Sequence, residues 1–362
     1  MSLLHTPITL RGVEFRNRAW VSPMCQYSSL DGVPNAWHLV HLGARAVGGA
    51  GAVIVEASGV TPEGRISPDD SGIWSDAQVE AFKPITAFIG EHGAVPGIQI
   101  AHAGRKASTD APWRGGRPLG ADERGWQVVG PSPVAYGDGW HLPHELTAAE
   151  IGDVVEAFAA AARRSLAAGF RLLEVHAAHG YLMHEFLSPL SNLRSDEYGG
   201  DFAARTRLLL EVVQAVRAAW PAELPLSVRV SASDWVDGGW SLTDSIELAK
   251  RLGPLGVDLV DCSSGGLSPA QEIPLGPGYQ VPFASAIRLG AGIATAAVGL
   301  ITEAAQAEEI LASGDADVIL LGRESLRDPS WPLRAAAELG VDSEAWPRQY
   351  LRARPHLPTP VR

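Results

Sequence analysis

The chain has 362 residues, 46% hydrophobic and 19% charged, enough for one large α/β domain or two smaller ones with a substantial core. Its 29 lysines and arginines against 41 aspartates and glutamates give a formal charge of -12, which repels phosphate backbones and anionic lipids and argues against nucleic acid or a membrane as partner. Cys25 and Cys262 are too few for a disulfide framework or a four-cysteine metal cluster, and with no export signal or membrane-length apolar run a cytoplasmic protein is expected.

The opening stretch ITLRGVEFRNRAW alternates apolar and polar residues and predicts a short N-terminal hairpin. Short β-branched runs then alternate with amphipathic helical stretches. Strands are predicted at 19–24 (AWVSPM), 52–57 (AVIVEA), 96–101 (PGIQIA), 171–176 (RLLEVH), 226–232 (LSVRVSA), 257–263 (VDLVDCS), 294–299 (ATAAVG) and 317–322 (DVILLG). Between them lie helix starts such as the capping box of Thr147 with Glu150, and stops such as Gly169 and Gly314. Strands separated by helices pair in parallel, and eight such units fit a closed single-domain (β/α)8 TIM barrel better than an open doubly wound sheet. The barrel is expected over residues 1–340, with a C-terminal tail over 341–362. The longest connection, 104–146 after the third strand, reads as an inserted loop on the active face.

In such a barrel the reactive groups come from the carboxyl ends of the strands. Here those ends hold Ser22, Pro23, Met24 and Cys25, then Glu56 and Ala57, Gln99, His176 and His179, Arg229, Ser263 and Ser264, Gly299, and Gly322 with Arg323. The Gly48, Gly49, Gly51 cluster precedes its strand, which is the wrong order for a dinucleotide fingerprint. The glycine-ended seventh and eighth strands match instead the phosphate cradle of a barrel, with Arg323 adding a cation.

His176 and His179 would face opposite ways on a continuous strand, so the chain must turn at Ala177 and Ala178. With roughly helical spacing after the turn, both imidazoles reach one small object: a metal, a phosphate or a substrate oxygen. A metal would need a third ligand, for which Glu185 is the neighbour, but the fixed charge of Arg229 opposes a dication there. No metal is therefore expected, and a metal-dependent hydrolase using His176 and His179 stands as the alternative.

The segments SPMCQYSSLDG (22–32), GRISPDDSGIWSD (64–76), GIQIAHAGRKA (97–107), EVHAAHGYLMHEFLSPLSNLRSDEYGG (174–200), VRVSASDW (228–235), VDLVDCSSGG (257–266) and LLGRESLRDP (320–329) together resemble the old yellow enzyme family. Within it the chain is similar to the bacterial xenobiotic-reductase or thermophilic-like subclass over nearly its full length. The resemblance implies noncovalent FMN, reduced by NADPH or NADH and reoxidised by an activated alkene, a quinone or a nitro compound. Relatives that carry an iron–sulfur cluster and extra domains, such as dienoyl-thioester reductases and amine dehydrogenases, need more cysteines and a longer chain. A non-catalytic flavin-binding module is the remaining alternative.

Carried onto matching positions, the resemblance implies that Ser22, Pro23, Met24 and Cys25 line the flavin, with Cys25 in the place of a threonine found in other members. Ala57 is small so that the ring lies close, Gln99 meets the imide edge, and Arg229 sits where the reduced ring gathers negative charge. Gly299, Gly322 and Arg323 would hold the phosphate. His176 and His179 would donate to the carbonyl oxygen of the substrate, and Tyr181 would protonate the α-carbon, with Tyr27 as a further substrate contact. In the resembled subclass an arginine two residues after a tyrosine reaches the neighbouring subunit's site. Tyr350 followed by Arg352 reproduces that spacing, with Arg354 the second choice, which implies a homodimer or homotetramer with shared sites. Lys106 and the loop segment 112–139 receive no role.

Overall fold

A computed structural model describes residues 2–355, so residues 356–362 of the expected tail lie outside the described residues. Eight parallel strands close into a barrel: β1 (Ala19–Val21), β2 (Ala52–Gly59), β3 (Val95–Ala101), β4 (Leu172–Ala177), β5 (Leu226–Ser231), β6 (Leu259–Ser263), β7 (Ala294–Ala297) and β8 (Val318–Leu321). Each pairs with its neighbours in sequence, and β8 returns to β1 through Ile319 opposite Ala19. All eight predicted strands are present, with ends that differ from the expected ones by at most three residues.

The hairpin is also as expected, with Ile8–Leu10 antiparallel to Val13–Phe15. It seals the amino-terminal mouth of the barrel. Gly12 N–H donates to Glu223 O just before β5, Arg11 pairs with Asp258 before β6 at 2.7 Å, and Arg18 donates to Asp317 O before β8. Phe15 stacks on Trp20 with ring centroids 4.2 Å apart, both fully buried.

Helices wrap the outside. Thr147 caps Ala148–Ala167 through the capping box with Glu150, and Gly169 follows its end with a φ of 91°, a conformation that favours glycine. Among the described residues no helix is long and apolar enough to cross a membrane.

The inserted loop after β3 is not featureless. It contains the short 3-10 turns Gly104–Lys106, Pro112–Arg114 and Ala121–Glu123, and a two-residue ladder of Val129–Gly130 with His144–Glu145. β2 carries one irregularity, a register shift between Val55 and Ser58 that falls on Glu56 and Ala57. Such breaks re-aim side chains beside active sites.

The packing leaves no room at Gly48, which ends helix Ala36–Val47: an added Cβ would collide with the Pro329 carbonyl oxygen. Gly48→Ala should therefore cost roughly 1–3 kcal/mol, the scale of overpacking, read as a lowered Tm in thermal unfolding. An unchanged Tm would mean that the 329–330 backbone moves aside freely.

Candidate active site

The carboxyl ends of the strands bring the predicted residues to one rim. β1 runs directly into Ser22 and Pro23, both buried, then Met24 and Cys25, half-buried; Ser22 N–H donates to Leu321 O at 3.1 Å and so ties this segment to β8. Glu56, at the break in β2, braces the loop that follows. Its carboxylate accepts Gln26 N–H at 2.5 Å and Ser71 Oγ–H at 2.9 Å, and lies 2.9 Å from His38 Nε2. This holds the turn at Tyr27, whose φ is 48°, with its ring edge-on to Trp113. Burial pushes the Cys25 thiol well up, and nearby Asp70 and Glu56 push the same way, so it stays a neutral thiol.

Inside the barrel mouth β3 to β6 present a polar group. Gln99 Nε2–H donates to Glu174 Oε1 at 2.9 Å, and Ser227 Oγ–H to Glu174 Oε2 at 2.9 Å. Arg229 Nε lies 3.0 Å from Asp261 Oδ2, at an angle that makes the pair electrostatic without a formed hydrogen bond. Burial pushes Glu174 up and Asp261 up to about 8, with Arg229 pulling both back. Two buried carboxyls beside one guanidinium resist joint ionisation, so they do not outweigh the charge of Arg229 at the rim. Neither Glu174 nor Asp261 was among the predicted site residues. The signal was there: one acid inside each apolar strand run.

Arg229, Gly299, Gly322 and Arg323 line a single cleft, together with Ser263 and Gln280. Gly299 has a φ of 119°, and an added Cβ there would press on Gln280 Nε2 at 2.8 Å, so glycine is required. A glycine-walled cleft with one buried guanidinium, Arg229, and two exposed ones, Arg323 and Arg327, suits an anionic head attached to an electron-accepting ring. The buried Arg229 lines this cleft, so its guanidinium can serve as a polar edge for such a ring. The cleft fits FMN: Gly299, Gly322 and Arg323 would hold the phosphate and Arg229 the ring edge, with Gln99, Ala57 and residues 22–25 expected beside the ring.

His176 and His179 do meet, but not through a helical turn. β4 ends at Ala177, His179 takes a φ of 61° and Gly180 one of 73°, and helix Leu182–Leu187 begins only after Tyr181. Two successive left-handed residues reverse the chain. The His176 ring then stands perpendicular to both His179 and Tyr181, with centroids 5.1 Å away in each case. Ser231 Oγ accepts His179 N–H at 2.9 Å, and His184 Nδ1 accepts Gly180 N–H at 2.9 Å. Buried His184 faces Asp234 across 2.8 Å.

The hydrogen bonds assign the tautomers. Ala178 N–H donates to His176 Nδ1 at 3.2 Å, so Nε2 carries the His176 proton. That proton faces His179 Nδ1 across a long 3.3 Å, and His179 Nε2–H then donates to Ser263 Oγ at 2.7 Å. Burial, followed by the charge of Arg229, lowers both imidazoles well below their usual range and keeps them neutral. Burial raises Tyr181 well above the usual phenol range, so its hydroxyl remains protonated.

The loop after β3 supplies a wall. Ile66, Ala103, Ala107 and Val128 form a separate apolar cluster, with Cys25, Trp126 and Tyr181 packed against it. Tyr350 and Arg352 lie exposed on the 3-10 helix Arg348–Ala353, while Arg354 pairs with Asp342. Among the described residues no group of three or more His, Cys, Asp or Glu side chains is arranged to hold a metal ion, which leaves the hydrolase alternative without a ligand set.

The sequence profile of the NADH:flavin oxidoreductase / NADH oxidase family matches residues 3–341. The NADPH dehydrogenase of Geobacillus thermodenitrificans (strain NG80-2) is 49% identical over 353 residues, 97% of this chain and 98% of the relative. Among solved structures, the old yellow enzyme homologue from Zymomonas mobilis superposes with a TM-score of 0.76 at 28% identity, covering 98% of this chain and 99% of that one. Morphinone reductase in complex with tetrahydroNAD gives a TM-score of 0.77 at 26% identity, covering 98% and 97%.

The buried titratable groups make stability pH-dependent. His5 and His102 fall to about 4 and His41 to about 3, each chiefly by burial, so between pH 4 and 6.5 the unfolded chain binds protons that the native chain refuses. Stability rises with pH on that account. Asp70 is pushed up to about 7 and Glu185 and Asp261 to about 8, chiefly by burial, so the native chain keeps protons that the unfolded chain has released. Stability falls with pH on that account, and between 6.5 and 8 these groups outweigh the opposing trend of Lys106, whose ammonium burial lowers to about 8. Tm should therefore decline from pH 6.5 to 8. Glu185→Gln should make the decline shallower, by at most about 1.4 kcal/mol per pH unit; an equal slope in both proteins would show that Glu185 is ionised throughout.

Proposed function

Because the chain belongs to the NADH:flavin oxidoreductase / NADH oxidase family, that of the old yellow enzymes, and is an FMN-dependent NADPH dehydrogenase, we propose that the acceptor it serves is an activated alkene. FMN, when bound, would supply the hydride chemistry that links NADPH to the acceptor. Enones, enals and maleimides would be reduced at the β-carbon, with quinones and nitro compounds as further acceptors.

One observation carries this reading. Two neutral imidazoles and one protonated phenol converge beside a cleft suited to a flavin. A charged imidazolium would bind an anion; a neutral N–H polarises a carbonyl without trapping it. The His176 Nε2–H makes only its long contact with His179, so a carbonyl oxygen is the better acceptor for it. His179 Nε2–H, shared with Ser263, provides the second donor when it turns to the same oxygen. Together they hold the charge that develops on that oxygen. Tyr181 supplies the proton to the α-carbon, and its high pKa makes it a donor that keeps its proton until the carbanion forms. Tyr27 contacts the same substrate oxygen.

Tyr181→Phe should slow oxidation of the reduced enzyme by an enone about 10²-fold while leaving oxidation by a quinone nearly unchanged, since quinones need no carbon protonation. Stopped-flow traces of the two acceptors test this. Equal slowing of both would assign the proton to another donor.

The exposed Tyr350 and Arg352 support a shared site, in which Arg352 of one subunit closes the pocket of a neighbour in a homodimer or homotetramer. Arg352→Ala should raise the KM for the alkene without altering reduction by NADPH, and mixing that variant with His176→Ala should restore activity beyond the sum of the two. Mixed oligomers with no such gain would place each site within one chain.

A further inference from the structure

Lys106 ends the 3-10 turn Gly104–Lys106 after β3, and it forms no salt bridge among the described residues. Its ammonium instead donates to two backbone carbonyls, His179 O at 2.8 Å and Gly266 O at 2.8 Å. These oxygens belong to different loops, one after β4 and one after β6. The same nitrogen lies 5.2 Å from the centroid of the Tyr181 ring and 4.7 Å from that of Tyr136.

The two loops are already pressed together. Gly266 has a φ of 90°, and a Cβ there would come within 2.6 Å of the His179 Cα; a Cβ on Gly180 would collide with the Gly266 carbonyl oxygen. Close backbone contact brings two carbonyl dipoles side by side, and a cation bonded to both offsets their repulsion. Burying an ammonium is costly, and burial lowers Lys106 to about 8 although Glu185 counters it. That cost is offset only if the two carbonyl bonds are made. Arg105, from the same turn, donates to Leu267 O of the loop after β6 and to Val134 O, and makes no bond to the His179 turn.

We propose that Lys106 is a positioning residue, whose ammonium locks the His179 turn to the loop after β6 and so holds the His179 imidazole and the Tyr181 phenol at the angles the oxidative half-reaction needs. This rests on the alkene-reductase reading above. The His179 side chain springs from the residue whose carbonyl is clamped, and Tyr181 follows two residues on with its ring against the clamp. Loosening the clamp frees both donors together. It leaves the Arg229 and Gly299 cleft intact, because no Lys106 hydrogen bond reaches it.

The test uses the FMN-loaded enzyme with Lys106→Met and Lys106→Arg. Methionine keeps the length of the side chain and removes the donors; arginine keeps a cation that can bridge two carbonyls. Lys106→Met should retain FMN and its rate of reduction by NADPH to within about twofold, yet slow oxidation by an enone by about 10- to 10²-fold, the scale of a misplaced catalytic group. Lys106→Arg should recover part of that loss. The clamp is refuted if Lys106→Met oxidises at the wild-type rate, if both half-reactions slow alike, if both variants lose FMN, or if arginine does no better than methionine. Wild-type enzyme that no enone oxidises would sink the alkene reading itself and this inference with it. Wild-type turnover matched by Lys106→Met would sink the clamp alone.

Discussion

Two successive left-handed residues, His179 and Gly180, bend the chain out of β4, and the arrangement of the site follows from that bend. A continuing strand would send residues 176 and 179 to opposite faces. A left-handed backbone costs a histidine about 1–2 kcal/mol, so the turn persists only where its surroundings hold it. Here three elements do so at successive polar groups: Ser231 of β5 at His179 N–H, His184 at Gly180 N–H, and Lys106 at His179 O. The strain is concentrated where the His176 and His179 rings are brought together.

Electrostatics divides the rim into two halves. Around β5 and β6 the buried guanidinium of Arg229 is only partly matched by acids that burial biases toward their neutral forms, so the field there favours electron-rich states of a neighbour. Around β4 the imidazoles and the phenol are neutral, so they donate hydrogen bonds without adding charge. Arg229 links the halves, since its charge is one reason the imidazoles stay unprotonated.

Most of the architecture was legible in the sequence because both periodicities are clean there. Runs such as AVIVEA and DVILLG admit little but a buried strand, and each carries at or next to its end a polar or glycine residue, Glu56 and Gly322, that marks the rim. The nature of the turn after His176 was not legible: spacing alone suggested a helix, and nothing in AAHGY announces that a histidine would take the left-handed conformation. Glu174, Asp261 and Lys106 were overlooked for a common reason. Their partners, Gln99, Arg229 and the His179 carbonyl, lie 75, 32 and 73 positions away in sequence, and only barrel closure makes them neighbours. The loop wall was illegible because its apolar members, Ile66, Ala103, Ala107 and Val128, come from two separate segments without a common period.

The loop after β3 is fastened in two different ways. Its inner side joins that small apolar cluster, whereas its outer side is tied by exposed ion pairs, Arg114 with Asp110 and Asp69 at 2.6 Å each, and Arg124 with Asp69 at 2.9 Å. Pairs of this kind are worth little individually, about 0–1 kcal/mol. On the proposed reading, the electron-transferring apparatus is thus carried by the barrel and the acceptor-facing wall by an appendage with its own modest anchorage. Descendants of such a chain can exchange one without rebuilding the other, so a lineage can explore new acceptors while its reductant side stands still.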